Sequence, residues 1–261
     1  MKWSVLWSGW SDGYLNMAVD DWLLATANER PPTLRIYGWL KPTVSLGRNE
    51  RWKRVIQPSR LRKAGVRLVR RPTGGRAVFH HRELTYSVTA PHRHQAELGQ
   101  RLTDTLAYVS EGLALALRRM GIDVTIAHRT KSVARQEGVC FESATRFELL
   151  ADGQKVVGNA QLRTTTGFLQ HGSMPVYPPV SPFEKLSPGG NEPFASGHAL
   201  PTPLHRCADL CLDFVGLQLA EAFGHRAGGG LVWMSQNCLD HGQIQAIAQL
   251  RYLRPEWTFW R

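Results

Sequence analysis

Short turns constrain this chain more than any other feature. Ala151-Asp152-Gly153-Gln154 separates the run Phe147–Leu150 from the run Lys155–Val157. Asp-Gly between two such runs marks a tight hairpin, because both residues tolerate positive φ. A link that short joins antiparallel strands, since a parallel pair needs a crossover of a dozen residues or more. Gly167 stands in the same way between Gln161–Thr164 and Phe168–Ser173, and Pro72-Thr73-Gly74-Gly75 stands between Val66–Arg70 and Arg76–Phe79. Thr33–Trp39 and Leu84–Thr89 alternate as strands, and Thr43–Leu46 and Val124–Ala127 read as two more. Apolar residues at helical spacing predict helices over Asn16–Ala27, Pro58–Ala64, Glu97–Met120, Cys207–Phe223 and Gln243–Leu253, with Gly65 and Gly121 as stops. The fold class that follows is α+β: mainly antiparallel mixed sheets flanked by helices, not a doubly wound parallel sheet.

The 261 residues suit one catalytic domain over 1–261, with the Pro- and Gly-rich stretch 177–203 as a long loop before the C-terminal helices. No apolar run approaches the roughly 18 residues of a membrane span. Ser, Gly and Asp interrupt the apolar residues of Met1–Leu24, which therefore reads as a first strand and not as a leader. Cys140, Cys207, Cys211 and Cys238 form no CxxC pair, so no metal site is expected. Without a secretory signal they read as free thiols in a reducing compartment, the cytoplasm. The formal charge of +11 suits a polyanionic or acidic partner. The Arg60–Arg71 run could track phosphates, but the chain carries no helix-turn-helix, zinc-finger or aromatic RNA-binding signature, which argues against nucleic acid.

Three segments carry candidate chemistry. In Arg70-Arg71-Pro72-Thr73-Gly74-Gly75-Arg76-Ala77-Val78-Phe79-His80, two glycines allow close backbone approach to a ligand and the arginines could hold a carboxylate or phosphate. By the residues alone this is equally a tight hairpin. In Gly153-Gln154-Lys155-Val156-Val157-Gly158-Asn159-Ala160-Gln161, a lysine leaves a strand beside small residues that would admit a linear ligand; a surface lysine on an edge strand fits as well. In Gly138-Val139-Cys140-Phe141-Glu142-Ser143, a cysteine stands on a loop, as a nucleophile or as a half-buried thiol.

Taken together and in this order, the segments resemble the lipoate–biotin protein ligase superfamily. Asn16-Met17-Ala18-Val19-Asp20 is similar to that family's first helix, and the resemblance runs from about Lys2 to Leu250. Val139-Cys140-Phe141-Glu142-Ser143, Gln161 and Leu169-Gln170-His171-Gly172-Ser173 are similar to the cysteine-dependent octanoyl-[acyl carrier protein]:protein N-octanoyltransferases. His81 stands where that pattern has Asp, and Asn159 where Ser is more usual, beside the expected acyl tunnel.

The resemblance implies an acyltransferase of lipoate biosynthesis with Cys140 as nucleophile and Lys155 as the cation that lowers its pKa. It also implies a substrate site from Arg71, Gly74, Gly75, His80, Gly158, Ala160, Gln161 and His171, with no cofactor and no metal. The donor would be octanoyl-acyl carrier protein, whose acidity suits the positive charge. The acceptor would be a lysine of a lipoyl-domain protein such as the glycine-cleavage H protein, with no membrane involved. Two alternatives stay open: an ATP-dependent lipoate or octanoate–protein ligase, and an amidotransferase moving octanoyl between lipoyl proteins.

Overall fold

The computed structural model describes residues 1–81, 83–127, 147–175 and 212–261. The chain opens with β1 (Trp3–Ser11), α1 (Gly13–Ala25), β2 (Thr33–Trp39), β3 (Thr43–Leu46), α2 (Trp52–Val55), α3 (Pro58–Lys63), β4 (Arg67–Arg70), β5 (Val78–His80) and β6 (Glu83–Pro91). Then come α4 (Gln95–Leu98), α5 (Leu102–Arg119), β7 (Thr125–Ile126), β8 (Leu149–Ala151), β9 (Gln154–Lys155), β10 (Gly158–Arg163) and β11 (Gly167–Pro175). The described C-terminal part holds α6 (Leu212–Ala227), β12 (Leu231–Trp233), α7 (His241–Ile247) running into a π-turn at Ala248–Tyr252, and α8 (Pro255–Thr258).

A six-stranded sheet in the order β10-β11-β6-β2-β1-β12 forms the centre, with two three-stranded sheets, β4-β3-β5 and β7-β8-β9. The pairs β10–β11, β11–β6 and β2–β6 are antiparallel. Strand β1 pairs in parallel with β2, joined to it through α1, and with β12. The architecture is the expected α+β with antiparallel-rich mixed sheets.

Alternation along the strands divides the large sheet into two faces. Leu34 and Ile36 of β2, with Leu84, Tyr86, Val88 and Ala90 of β6, pack against α5 and α6 in one buried cluster. Trp3 of β1 sits there edge-on to Phe223, ring centroids 5.2 Å apart. The opposite face carries Leu6, Tyr37 and Trp39 against α1, α7 and the π-turn. The small sheet β4-β3-β5 turns Val44, Leu46 and Phe79 onto α2 and α3, where Ile56 and Leu61 complete a third cluster.

The β8–β9 turn forms as its Asp-Gly pair predicts: Asp152 and Gly153 have φ of 50° and 74°. The expected continuous helix Glu97–Met120 is instead two helices. Gly99 between them has φ +106°, which no L-residue in a helix adopts. Helix α5 restarts at Leu102, where the Asp104 carboxylate accepts the Arg101 backbone N–H at 3.0 Å. Strand β12, three residues long, is too short to show an alternation in the sequence. The predicted loop 177–203 lies outside the described residues.

Candidate active site

On the α1 side of β6, every second residue is polar: Glu83, Thr85, Ser87 and Thr89. Such a row normally meets water. Here all four are at most 3% exposed. They lie beneath α1 and the small sheet, so their polar atoms need partners inside the protein. Glu83, Thr85 and Ser87 find them in His80 of β5, Trp39 of β2, Ser173 of β11 and Asp20 of α1, whereas the buried Thr89 Oγ1 has no partner among the described residues; beside this row lies a slot.

The slot is lined by Met17, Tyr37, Trp39, Ser45, Arg71, Gly75, Val78, His80, Thr85, Gly158, Asn159, Ala160, His171, Gly172 and Ser173. It encloses ≈ 490 Å³ of space free of atoms, including its open mouth.

One histidine of the wall, His171 on β11, is tied to α1. Its Nδ1 lies 3.1 Å from Asp20 Oδ2 and its Nε2 lies 2.6 Å from Thr73 Oγ1. Asp20 is fully buried, yet it also faces Arg35 Nη1 at 2.7 Å and accepts from Ser87 at 2.8 Å and Tyr37 at 3.1 Å. Burial by itself would raise the Asp20 carboxyl; the Arg35 guanidinium and the His171 and Ser87 hydrogen bonds outweigh it and hold the group below the usual carboxylate range. Burial pushes His171 the other way, below the usual imidazole range, against the pull of Asp20. At neutral pH the pair is therefore a carboxylate accepting from a neutral ring. Nδ1 carries the proton, and Nε2 accepts from the Thr73 hydroxyl.

The second histidine, His80 at the end of β5, has the same design. Its Nδ1 lies 2.6 Å from Glu83 Oε1, and its Nε2 lies 2.7 Å from Ser45 Oγ. Thr85 donates to Glu83 Oε1 at 2.9 Å and Ser173 to Oε2 at 2.6 Å. Trp39 stacks on the His80 ring, with centroids 3.8 Å apart and planes 11° from parallel. Arg71 crosses behind, its Nη1 donating to the Ser45 carbonyl at 2.9 Å and to Ser45 Oγ at 3.1 Å.

Arg71 also donates from Nη2 to the carbonyls of Gly74 at 2.8 Å and Arg76 at 2.7 Å. It braces the glycine loop from within while lining the slot. Arg70 points elsewhere: it donates to the carbonyls of Gly47 at 2.6 Å and Thr258 at 2.9 Å, locking the C-terminal segment to the start of the α2 region. The expectation that both arginines wait for an anion gives way to a structural role for Arg70.

The slot thus gathers Arg71, Gly75, His80, Gly158, Ala160 and His171. Gly74 contributes its carbonyl to Arg71 but is not part of the wall. Gln161 points to the other side of β10, donating to Thr105 of α5 at 2.9 Å and to Gln170 at 3.0 Å. Asn159 accepts from the Tyr86 hydroxyl at 2.6 Å. Lys155 is buried on β9 and forms an ion pair with Glu148; it does not itself line the slot, although Gly158 and Ala160 of the following strand do. Cys140 lies outside the described residues.

Sequence reasoning missed Asp20, Ser45, Thr73, Glu83 and Glu148. Asp20 and Thr73 lie inside segments that stand out in the sequence, and Glu83 shows only in the polar alternation of Glu83–Thr89, which a solvent-facing strand would share. Among the described residues, no group of three or more His, Cys, Asp or Glu is placed to hold a metal ion. No helix among them is long and apolar enough to cross a membrane.

Comparison with known proteins places this geometry. The model of the lipoyl protein ligase A/B catalytic domain matches residues 12–199. A protein of Halalkalibacterium halodurans named octanoyltransferase LipM is 30% identical over 98% of both chains. One of the same name from Kyrpidia tusciae is 39% identical over 179 residues, spanning 66% of this chain and 65% of that protein, just under two thirds of its length. Among solved structures, a lipoate-protein ligase A bound with ATP superposes with a TM-score of 0.75 at 19% identity, covering 99% of both chains. The bi-partite lipoate protein ligase of Thermoplasma acidophilum gives 0.69 at 17% identity, covering 99% of this chain and 96% of that one. Identities this low establish the shared fold only. The extent of the family match and the full-length relative decide the assignment: the chain belongs to the lipoyl protein ligase A/B catalytic domain family.

Proposed function

We propose that this protein is an octanoyltransferase of lipoate biosynthesis, working as a single cytoplasmic catalytic domain. It moves octanoyl from acyl carrier protein to a lysine of a lipoyl-domain protein through a thioester on Cys140. The observation that carries the reading is the likeness to a LipM octanoyltransferase over 98% of both chains. The slot supports it, since the small residues Gly75, Gly158, Ala160 and Gly172 in its wall leave room for a linear acyl chain.

In this account the Cys140 thiolate attacks the octanoyl thioester of the carrier. An ordinary thiol near pKa 8.5 is mostly protonated at pH 7, so a cation must favour the anion. Lys155 supplies that charge. Glu148, paired with it, holds the ammonium in place without the entropy cost of a free lysine chain. The acceptor amine then attacks the enzyme thioester, the C–N bond forms, and the C–S bond breaks. Backbone N–H groups near Gly74, Gly75 or Ala160 would stabilise the oxyanion. Thioester to amide runs downhill, so the route needs no ATP. The net charge of +11 favours encounter with an acidic carrier protein.

The test is a transfer assay on an unmodified lipoyl domain with two donor sets. Octanoyl-carrier protein without ATP should support modification, and free octanoate with ATP should not. The reverse pattern, with ATP–pyrophosphate exchange, would make the protein a ligase; transfer only from octanoylated lipoyl protein would make it an amidotransferase.

A further inference from the structure

The positive charge of this protein is gathered in one stretch. Of the 32 Lys and Arg, eleven lie between Arg51 and Arg82, a stretch that holds none of the 21 Asp and Glu; the 21 Lys and Arg outside it match those carboxylates in number. The whole excess of +11 therefore sits in α2, α3, β4 and the glycine loop. A solvated surface ordinarily intersperses both signs. Two of the eleven, Arg70 and Arg71, are buried and bond backbone carbonyls. Arg51 and Lys53 at α2, Arg62 and Lys63 at α3, and Arg67 and Arg76 at the two ends of the β4 hairpin are exposed. No ion pair among the described residues uses any of these six. Glu50, just before the stretch, turns inward, its carboxylate accepting the Gly47 N–H at 3.2 Å.

This stretch also reaches the slot. Of the slot's wall only Gly75 is exposed, with Val78 and Gly158–Ala160 half-buried, so the slot meets the surface between the glycine loop and β10. The exposed Arg76 follows Gly75 directly. Arg48, also exposed, donates its backbone N–H to the Thr73 carbonyl of the same loop at 2.8 Å, and Arg51 opens α2 three residues on. The C-terminal segment holds this edge in place: the Trp260 indole donates to the Arg48 carbonyl at 3.0 Å, and the Trp52 N–H to the Arg261 carbonyl at 3.2 Å.

We propose that the basic surface running from Arg48 and Arg76 at the mouth of the slot across α2 to α3 is where the acidic carrier of the acyl thioester docks. The inference rests on the octanoyl-transfer reading and adds to it the place of the donor. A carrier stays joined to its acyl chain until the thioester is cleaved, so it must sit at the mouth while the chain enters the slot. Cations gathered beside a cleft steer an acidic partner to it and raise the association rate about 10- to 10³-fold. They also fix its orientation, because a like-charged face is turned away. The acceptor brings a cationic lysine, which the same field repels, so the surface favours the donor over the acceptor. Duplex nucleic acid would meet the same charge, but it has no chain to place in the slot.

The test separates loading from discharge. Loading is followed by intact mass after mixing with limiting octanoyl-carrier protein, and discharge by mixing the isolated acyl-enzyme with unmodified lipoyl domain. The variant Arg48→Glu/Arg51→Glu is compared with Lys2→Glu/Arg119→Glu, which reverses two exposed cations outside the stretch and changes the net charge equally. The first should load from the carrier at least about tenfold more slowly than native, and the second within about twofold of it. Raising the salt from about 0.1 M to about 1 M shortens the screening length from about 10 Å to about 3 Å and should bring the first variant and the native protein together. Octanoyl-N-acetylcysteamine, a neutral thioester with no protein to dock, should load both variants at the native rate. Equal slowing of the two variants, equal slowing with the small thioester, or slowing confined to discharge would overturn the assignment. So would duplex DNA binding that the first variant loses while its loading stays native. If the native protein takes octanoyl from neither donor, the transfer reading itself fails.

Discussion

Replacing Asp20 by Asn tests whether the buried charge network under the slot is built as described. Asp20 and Arg35 are both at most 1% exposed and lie 2.7 Å apart. Arg35 keeps three partners without the carboxylate: the Asn16 carbonyl at 2.8 Å, Asn16 Oδ1 at 2.8 Å and Ser8 Oγ at 2.8 Å. These satisfy its geometry but not its charge. Removing one member of a buried pair leaves an uncompensated ion and costs about 3–5 kcal/mol. Arg35→Met should cost a similar amount, since Asp20 is then held only by Tyr37, Ser87 and His171. The two changes share one interaction, so the double variant should be less destabilised than their sum by about 1–3 kcal/mol. Urea unfolding followed by tryptophan fluorescence reads all four proteins. Additive losses, or an Asp20→Asn cost below about 0.5 kcal/mol, would refute the reasoning.

Three further outcomes follow from the same structure. His171 is held below its ordinary value of 6.5, so below that pH the unfolded chain takes a proton that the folded one refuses; stability should fall at up to about 1.4 kcal/mol per pH unit there. Asp20, held below 3.8, adds a second loss only as pH drops under that value, and His171→Asn should remove the first loss and leave the second, as acid titration of unfolding would show. Gly47→Ala would set a Cβ 1.7 Å from the Gly75 carbonyl oxygen, backbone against backbone, and should cost about 1–3 kcal/mol while displacing the glycine loop; native unfolding and transfer rates would contradict this. Lys155→Ala should shift iodoacetamide labelling of Cys140 to higher pH, and an unchanged labelling profile would count against the cation's role.

The parts of the fold legible in the sequence were those fixed locally. Strand β2 has the limits that its alternation and flanking prolines predict, because both act on neighbouring residues. The β8–β9 hairpin follows from one dipeptide. Helix α5 began later than its apolar spacing indicates, because spacing alone misses a break that Gly99 and Asp104 impose. The glycine loop, both histidines and Lys155 stood out as segments. Their carboxylate partners did not. Glu83 and Asp20 sit on faces whose polar pattern would look the same under water, and only the packing of α1 and the small sheet over β6 makes those faces dry. The pairing of His171 with Asp20 joins residues of β11 and α1 that no local rule connects.

The central claim is an acyl group carried on Cys140. Intact-mass and peptide mapping after mixing the protein with octanoyl-carrier protein, without acceptor, tests it most directly. The account predicts one octanoyl adduct, on the peptide containing Cys140, sensitive to hydroxylamine and absent from Cys140→Ser. A native protein that modifies the lipoyl domain yet never carries the adduct, or carries it equally well as Cys140→Ser, would contradict it.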